Sequence, residues 1–287
     1  MSVRVAPITS GDVRAVAEFL HANLNSRVPA EDWARAVEVP WKVDAPNHGV
    51  MLLDDSGALA GALLAYYSER EIAGHTERFC NLGAWCVLPE QRFHSLKLLK
   101  SLLAQPGYHF TDLSPSGNVV PINTRLGFRS LDTATALIPN LPWPSLPRRG
   151  RAVTSRPERL RAALTGPDLA LHLDHAEAAA ARQVLLTDGD RTCLVIFRRD
   201  RRKGLPLFGT ILHVSDREVF RRLRGRLLRH LLVRHGVLLT LAELRVTGER
   251  PRLSALLPSH RHKMFRSDSL GPDDIDYLYS ELVCLNW

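Results

Sequence analysis

The sequence has no apolar run approaching the roughly 20 residues that a membrane-spanning helix needs. It opens Met-Ser-Val-Arg-Val-Ala-Pro, without the apolar stretch of an export signal. Cysteine is scarce. Cys80, Cys86, Cys193 and Cys284 stand singly in apolar surroundings and show no C-x-x-C spacing. That argues against a disulfide frame or a zinc site and for buried thiols in a reducing compartment. His260 and His262, spaced i, i+2 without a third ligand beside them, do not make a metal site either. Zinc-finger, RNP-type and helix-turn-helix signatures are missing, which disfavours a nucleic-acid partner. These absences lead us to expect a cytoplasmic, metal-free protein with no membrane partner.

What is present is ordinary globular material: 45% apolar and 24% charged residues in 287, enough for two domains of about 140 residues each. The formal charge of +8 is unevenly spread, because Ser145 to His235 holds 20 Lys or Arg against 9 Asp or Glu. Such an excess favours an anionic partner, whether nucleic acid, nucleotide, phosphorylated substrate or acidic protein. The plainer alternative is arginine used on solvated faces.

Turn residues and periodicity divide the chain. Val3 to Ile8 reads as a strand, Val13 to Ala22 as a helix, and Pro29-Ala30-Glu31-Asp32 as the acidic start of another. Gly49 to Leu53 and Leu59 to Tyr67 form a hairpin about Asp54-Asp55-Ser56-Gly57. Phe79 to Leu88 is a largely apolar strand stopped by Pro89. A helix over Gln91–Ala104, a strand over Tyr108–Leu113, a helix over Asn118–Leu126 and a strand over Thr133–Ile138 follow. The prolines of Pro139 to Gly150 mark a linker. We therefore expect a domain over 1–143, a linker over 144–151 and a second domain over 152–287.

In the second half, Leu169–Leu173 reads as extended and His175–Leu185 as a helix capped by Asp174. Asp188-Gly189-Asp190 is a hairpin turn into the strand Thr192–Arg198, and Arg199 to Lys203 turns into Leu207–Val214. Arg217 to His235 is a long helix with an apolar stripe through Val219, Phe220, Leu223, Leu227, Leu228, Leu231 and Leu232. Gly236 stops it before the strand Val237–Leu244. The order hairpin, strand, helix, strand thus occurs twice, which suggests an internal duplication.

The first half resembles the GCN5-related N-acetyltransferase (GNAT) superfamily. The resemblance rests on the order of elements, the junction Val87-Leu88-Pro89-Glu90-Gln91-Arg92, and the run Asn118-Val119-Val120-Pro121-Ile122-Asn123-Thr124-Arg125-Leu126-Gly127-Phe128-Arg129. It covers residues 2–138. The second half, 152–250, matches by element order alone and is read as a degenerate copy in a tandem arrangement. The implied fold is α/β: two domains, each a mixed, mostly antiparallel central sheet flanked by helices.

The resemblance implies an acyltransferase that takes acetyl-CoA, or another acyl-CoA, to a small amine-bearing acceptor. Its donor site would comprise the strand amides of Ala84, Trp85, Cys86 and Val87, the pyrophosphate turn Arg92-Phe93-His94-Ser95-Leu96-Lys97, and Asn118 and Asn123. Free amides at a helix start suit a pyrophosphate. Ser95 and Lys97 replace small residues of the family's turn, and Asn123 stands where the family has an acid tyrosine, which an amide cannot replace. Glu90, His94 and Tyr67 are the candidate catalytic bases. Asp112 and Ser116 follow a strand end where acceptor contacts are made in the family. In the second half Asp216 and Glu218 would oppose a pyrophosphate. Because the chain is basic, a phosphorylated or nucleotide-linked amino sugar, or an anionic small metabolite, is the expected acceptor, and an acidic cleft beside residues 83–87 would speak against it. A non-catalytic acyl-CoA sensor and a homodimer are both left open.

Overall fold

The computed structural model describes residues 3–142, 149–202, 205–259 and 261–286, leaving aside the side chains of 201–206. Most of the proposed linker, including Pro144, Pro147 and Arg148, therefore lies outside the described residues, as does His260. The first part of the chain runs β1 (Arg4–Pro7), α1 (Val13–Asn23), α2 (Ala30–Val37), β2 (Gly49–Leu53), β3 (Leu59–Ile72) and β4 (His75–Val87). A 3₁₀ turn (Pro89–His94) then leads into α3 (Ser95–Leu103), β5 (His109–Asp112), α4 (Val120–Arg125), β6 (Arg129–Ser130) and β7 (Thr135–Pro139).

The second part runs β8 (Arg151–Thr154), α5 (Pro157–Ala163), α6 (Gly166–Asp174), β9 (Arg182–Asp188), β10 (Arg191–Arg202), β11 (Leu205–Val214) and α7 (Arg217–His235). It ends with β12 (Leu239–Glu243), α8 (Leu244–Thr247), β13 (Ala255–Leu257), β14 (Met264–Arg266) and a short α9 (Glu281–Cys284). No helix among the described residues is long and apolar enough to cross a membrane.

These strands make two seven-stranded sheets of one plan. The first is ordered β1-β2-β3-β4-β5-β14-β6 and the second β8-β9-β10-β11-β12-β7-β13. In each, the fourth and fifth strands are the one parallel pair and every other pairing is antiparallel. The expected duplicated, mixed and mostly antiparallel architecture is what the chain adopts.

The sixth strand of each sheet comes from the other half of the chain. β7 pairs with β12 through Ala136↔Ala242 and Ile138↔Thr240, whereas β14 enters between β5 and β6 through Phe265↔Thr111 and Phe265↔Arg129. Covalent segments and sheets therefore do not divide at the same place.

The sequence reading fails between residues 165 and 188. Gly166–Asp174 is helical rather than extended, and His175–Leu185 is not a helix, because Arg182–Asp188 forms β9. Pro167 in the first turn, with Asp168 beside it, starts that helix. The hairpin turn requires a strand on both sides, and β9 supplies it through Asp188↔Arg191 and Leu186↔Cys193. The continuous helix expected over Gln91–Ala104 is instead the 3₁₀ turn followed by α3.

A buried polar belt joins the halves around the C-terminal segment. Arg70 of β3 donates to Asp276 Oδ1 (2.7 Å) and the Leu278 carbonyl (2.9 Å). Arg198 of β10 pairs with Asp200 (3.0 Å) and donates to the Leu282 carbonyl (2.9 Å). Lys263 and Tyr277 both reach Glu243. Burial lowers the Lys263 pKa to about 8, against the pull of Glu243. Charges held this deep are tolerated because each has a partner. The segment from Ile275 to Leu285 is thereby fixed in the core, with Tyr277, Leu278, Leu282, Val283 and Leu285 all buried.

Candidate functional site

β4 and β5 pair only from Phe79↔His109 to Leu82↔Asp112. β5 ends there while β4 continues to Val87, so the edge of Gly83–Val87 that faces β5 has no strand partner. On the other side of β4, Leu64 pairs with Gly83 but Ala62 with Cys86, which inserts one extra residue at Ala84-Trp85. Ala84 takes a left-handed φ of 52° in this bulge. A bulge of this kind bends a strand and frees backbone groups from the ladder, and here it opens the space between the two strands.

That space is a cavity of about 540 Å³, within the usual range for small-molecule sites. Leu82 to Trp85 form one wall, and Asp112, Ser114 and Ser116 the other. Leu99 of α3 and Asn123 of α4 face it, and Arg261 and His262, just before β14, also line it. Asn123 is held by the end of α4, which Gly127 terminates at a φ of 88° that a side chain would resist. Phe128 then turns into the core.

Several polar atoms in and around this cavity are buried without a partner: Trp85 Nε1, Asn123 Oδ1, Tyr66 Oη and Glu281 Oε2. Buried polar groups are normally hydrogen-bonded, so such a cluster is what a site awaiting a ligand or water presents. Asn123 Nδ2 donates to Asp112 Oδ2 (2.8 Å). Burial raises the Asp112 pKa to about 6, with the Asn123 hydrogen bond opposing the rise.

Glu281 is fully buried on α9 behind Ser114, whose hydroxyl donates to its Oε1 at 2.8 Å. Its backbone N–H donates to Asn81 Oδ1 (3.1 Å), which ties α9 to β4. A Cβ on Gly83 would come within 3.1 Å of the Glu281 Cβ and 3.0 Å of the Tyr66 ring, so the glycine lets this carboxyl approach the bulge. Burial, and then Asp112, raises the Glu281 pKa to about 7.

The residues singled out in the sequence divide into three groups. Ala84, Trp85 and Asn123 line the cavity; Cys86 is buried beside it, its thiol pushed up by burial against the pull of Arg92. Glu90, Arg92, Phe93, Leu96 and Lys97 are exposed on the 3₁₀ turn and the start of α3, with His94 and Ser95 half-buried between them. Phe93 is 95% exposed, and no side chain caps α3. Val87 ends β4, and Asn118 is exposed ahead of α4. Glu90, His94 and Tyr67 are not among the cavity-lining residues. Tyr67 packs in the core against Tyr108, its hydroxyl 2.9 Å from both Asn47 Oδ1 and Gln105 Oε1.

Sequence reasoning missed Glu281 and Ser114. The available signal was a single acid inside the apolar run Tyr277 to Leu285. Nothing local linked that run to β4.

At the corresponding place in the second sheet, α8 follows β12 directly and packs against β11. On one face of that sheet, Leu113 and Leu282 meet Arg198, Thr210, Leu212, Leu241 and Glu243 around a space of only about 10 Å³, about enough for one water. At the start of α7, Asp216 Oδ1 accepts from Glu218 N (2.9 Å) and Val219 N (3.0 Å), and Arg191 bridges Asp216 and Glu218. The amides that an anion would need are already satisfied.

No family model and no curated protein matches the sequence. Solved structures do match. A GCN5-related N-acetyltransferase from Anabaena variabilis has a TM-score of 0.60 at 12% identity, covering 92% of this chain and 72% of that one. One from Kribbella flavida scores 0.57 at 15% identity, with 92% and 72% covered. Eis1 from Mycobacterium abscessus scores 0.51 at 18% identity, with 92% and 73% covered. At such identities the likeness is one of fold, and it spans nearly the whole chain: two mixed sheets of one plan, flanked by helices, make this a duplicated GNAT-like α/β fold.

Proposed function

We propose that the chain is an acyl-CoA-dependent N-acyltransferase, with acetyl-CoA as donor and a small amine as acceptor. The observation that carries this reading is the cavity between β4 and β5, with its unpaired strand edge, its orphaned polar atoms and a buried carboxyl behind Ser114. When bound, acetyl-CoA supplies a thioester carbonyl as the electrophile. The free edge of Ala84 to Val87 binds the pantetheine arm and donates amide hydrogens to the carbonyl oxygen as it gains charge. The uncapped start of α3, with Arg92, Ser95 and Lys97, meets the pyrophosphate, and exposed Phe93 offers a ring face to the adenine.

Ser114 Oγ accepts the acceptor's amine proton while its own hydroxyl proton passes to Glu281 Oε1, 2.8 Å away. A carboxyl with a pKa of about 7 is suited to that task at neutral pH. Asp112 orients the amine. Arg261 and His262 at the same cavity suit an anionic group elsewhere on the acceptor, which reconciles the basic chain with carboxyls beside residues 83–87. The proposal moves proton acceptance from Glu90, His94 and Tyr67 to Glu281, because the former do not line the cavity.

One observation favours a second reading, an acyl-CoA sensor without turnover: Asn123, at the family's tyrosine position, has no acidic proton to give the departing thiolate. Calorimetry with acetyl-CoA and thiol release across a panel of small amines separate the two. Binding with thiol release is the expected result. Binding without release supports the sensor, and no binding of any acyl-CoA rejects both.

A further inference from the structure

A second cavity lies outside the candidate acyl-donor site. It measures about 880 Å³ and is walled by β8 and the turn after it, by α5, and by one face of α7. Arg151, Arg156, Arg159, Arg226, Arg229 and Arg234 line it from these three elements, and no Asp or Glu does. Arg226, His230 and Arg234 recur at i, i+4, i+8 on α7, which aligns them along one helix face. Arg151 is paired with Asp188 (2.7 Å), but no ion pair among the described residues involves Arg156, Arg159 or Arg234.

Between the guanidinium groups the surface is apolar: Val153, Ala163, Leu185 and Val233, the last 61% exposed. Half-buried His230, within 3.2 Å of Ser155 Oγ, is held neutral by its burial and by neighbouring His235 and Arg234. A stable fold gains nothing from gathering exposed like charges at one cavity, where each raises the cost of the others.

We propose that this groove binds a nucleoside polyphosphate or a compact metabolite of the same chemistry: two or more linked phosphoryl groups on an apolar ring-bearing body. Arginine binds phosphate oxygens in pairs through its planar fork, and converging forks from three walls suit a short phosphate chain. The volume lies within the range of roughly 300–1,000 Å³ for small-molecule sites. The apolar strip gives the base or another ring a place to lie. A nucleic-acid strand is the poorer fit, because among the described residues no Phe, Tyr or Trp lines the groove for bases to stack on. The basic segment that the acyltransferase reading leaves unused thereby acquires a ligand of its own.

The test is calorimetric titration of the full chain with ATP, ADP, AMP and inorganic tripolyphosphate, repeated with acetyl-CoA saturating. Binding of ATP more tightly than AMP, undiminished by acetyl-CoA, is expected. Arg159→Glu with Arg234→Glu should weaken ATP by about tenfold or more, since two charge-assisted contacts are reversed. Acetyl-CoA binding should stay unchanged in that variant, which also reports that the chain is folded; Arg156→Gln with Arg229→Gln serves if it is not. The proposal is overturned if ATP fails to bind at about 1 mM, the weak end of metabolite affinities. It is equally overturned if ATP is displaced by acetyl-CoA, if the variants bind it as the wild type does, or if single-stranded oligonucleotides bind more tightly with increasing length.

Discussion

The two sheets share one strand plan yet differ where their parallel strands part. In the first, the strands after Leu82 and Asp112 part around a bulge and leave an open cavity, and the following helix begins without a cap. In the second, α8 follows β12 directly and packs against β11, and Asp216 caps α7 by accepting from the Glu218 and Val219 amides. Leu113 belongs to the loop after β5, and Leu282 lies next to Glu281. One C-terminal segment therefore packs Leu282 against the second sheet and places the Glu281 carboxyl beside the first opening. The difference teaches that two sheets of one plan need not present the same opening, because what packs beyond the parallel pair decides it.

The strongest way to break the comparison is to separate the halves. A chain ending at Gly150 would retain β7 without β12 and β13, and would lack β14 between β5 and β6. It would also expose the face that the Ile275–Leu285 segment covers. Neither sheet would be complete, and unpaired edges of this kind lead to association rather than folding. The expected outcome is loss of a cooperative thermal transition by circular dichroism. A sharp transition in the isolated first half would show that the strand exchange is incidental.

Much of this arrangement was legible locally. Asp54 to Gly57 and Asp188-Gly189 identified the two hairpins, and the stripe from Val219 to Leu232 with Gly236 behind it delimited α7. Gly127-Phe128 pointed to the fold through a left-handed cap and a buried ring. The exchange of β7 and β14 was not legible, because a strand's own sequence states its period but not its partner. Met264–Arg266 sits inside what reads as a basic patch and becomes a strand only because β5 and β6 leave a gap for it. The alanines at 178–181 suggested a helix by propensity, and tertiary pairing of β9 with β10 overrode that weak preference. Glu281 was hidden for the same reason as β14: its significance lies in contacts some 170 to 200 residues away, with Ser114 and Asn81.

The next effect is at the carboxyl itself. Glu281→Gln removes the proton acceptor and keeps the shape, so acyl transfer should fall by about 10²–10⁴-fold with acetyl-CoA affinity preserved. Its stability effect has a definite sign. The folded pKa of about 7 is above the ordinary 4.5, so the folded chain holds a proton that the unfolded chain has released between those values. Wild-type stability therefore falls as pH rises from 4.5 to 7, and the penalty is full above 7. The amide is spared it. Denaturant unfolding should find the variant more stable at pH 8, by on the order of 1–3 kcal/mol, and little different at pH 4.5. Equal stability at both pH values, or unchanged turnover, would refute the role given to Glu281.

The smallest effect tests whether the Asp216 cap alone keeps a donor from the second half. Asp216→Ala frees the Glu218 and Val219 amides and leaves Arg191 with Glu218 only. Losing an N-cap carboxylate costs about 1 kcal/mol, read as a lower midpoint in denaturant. Freeing those amides should not create a second donor site, because α8 still packs against β11 beyond its pairing with β12, where a pantetheine arm would have to lie. Calorimetry on the variant should therefore return the same single acetyl-CoA site as the wild type. A second equivalent of bound acetyl-CoA would mean that the cap, and not the packing of α8 against β11, is what separates the two halves.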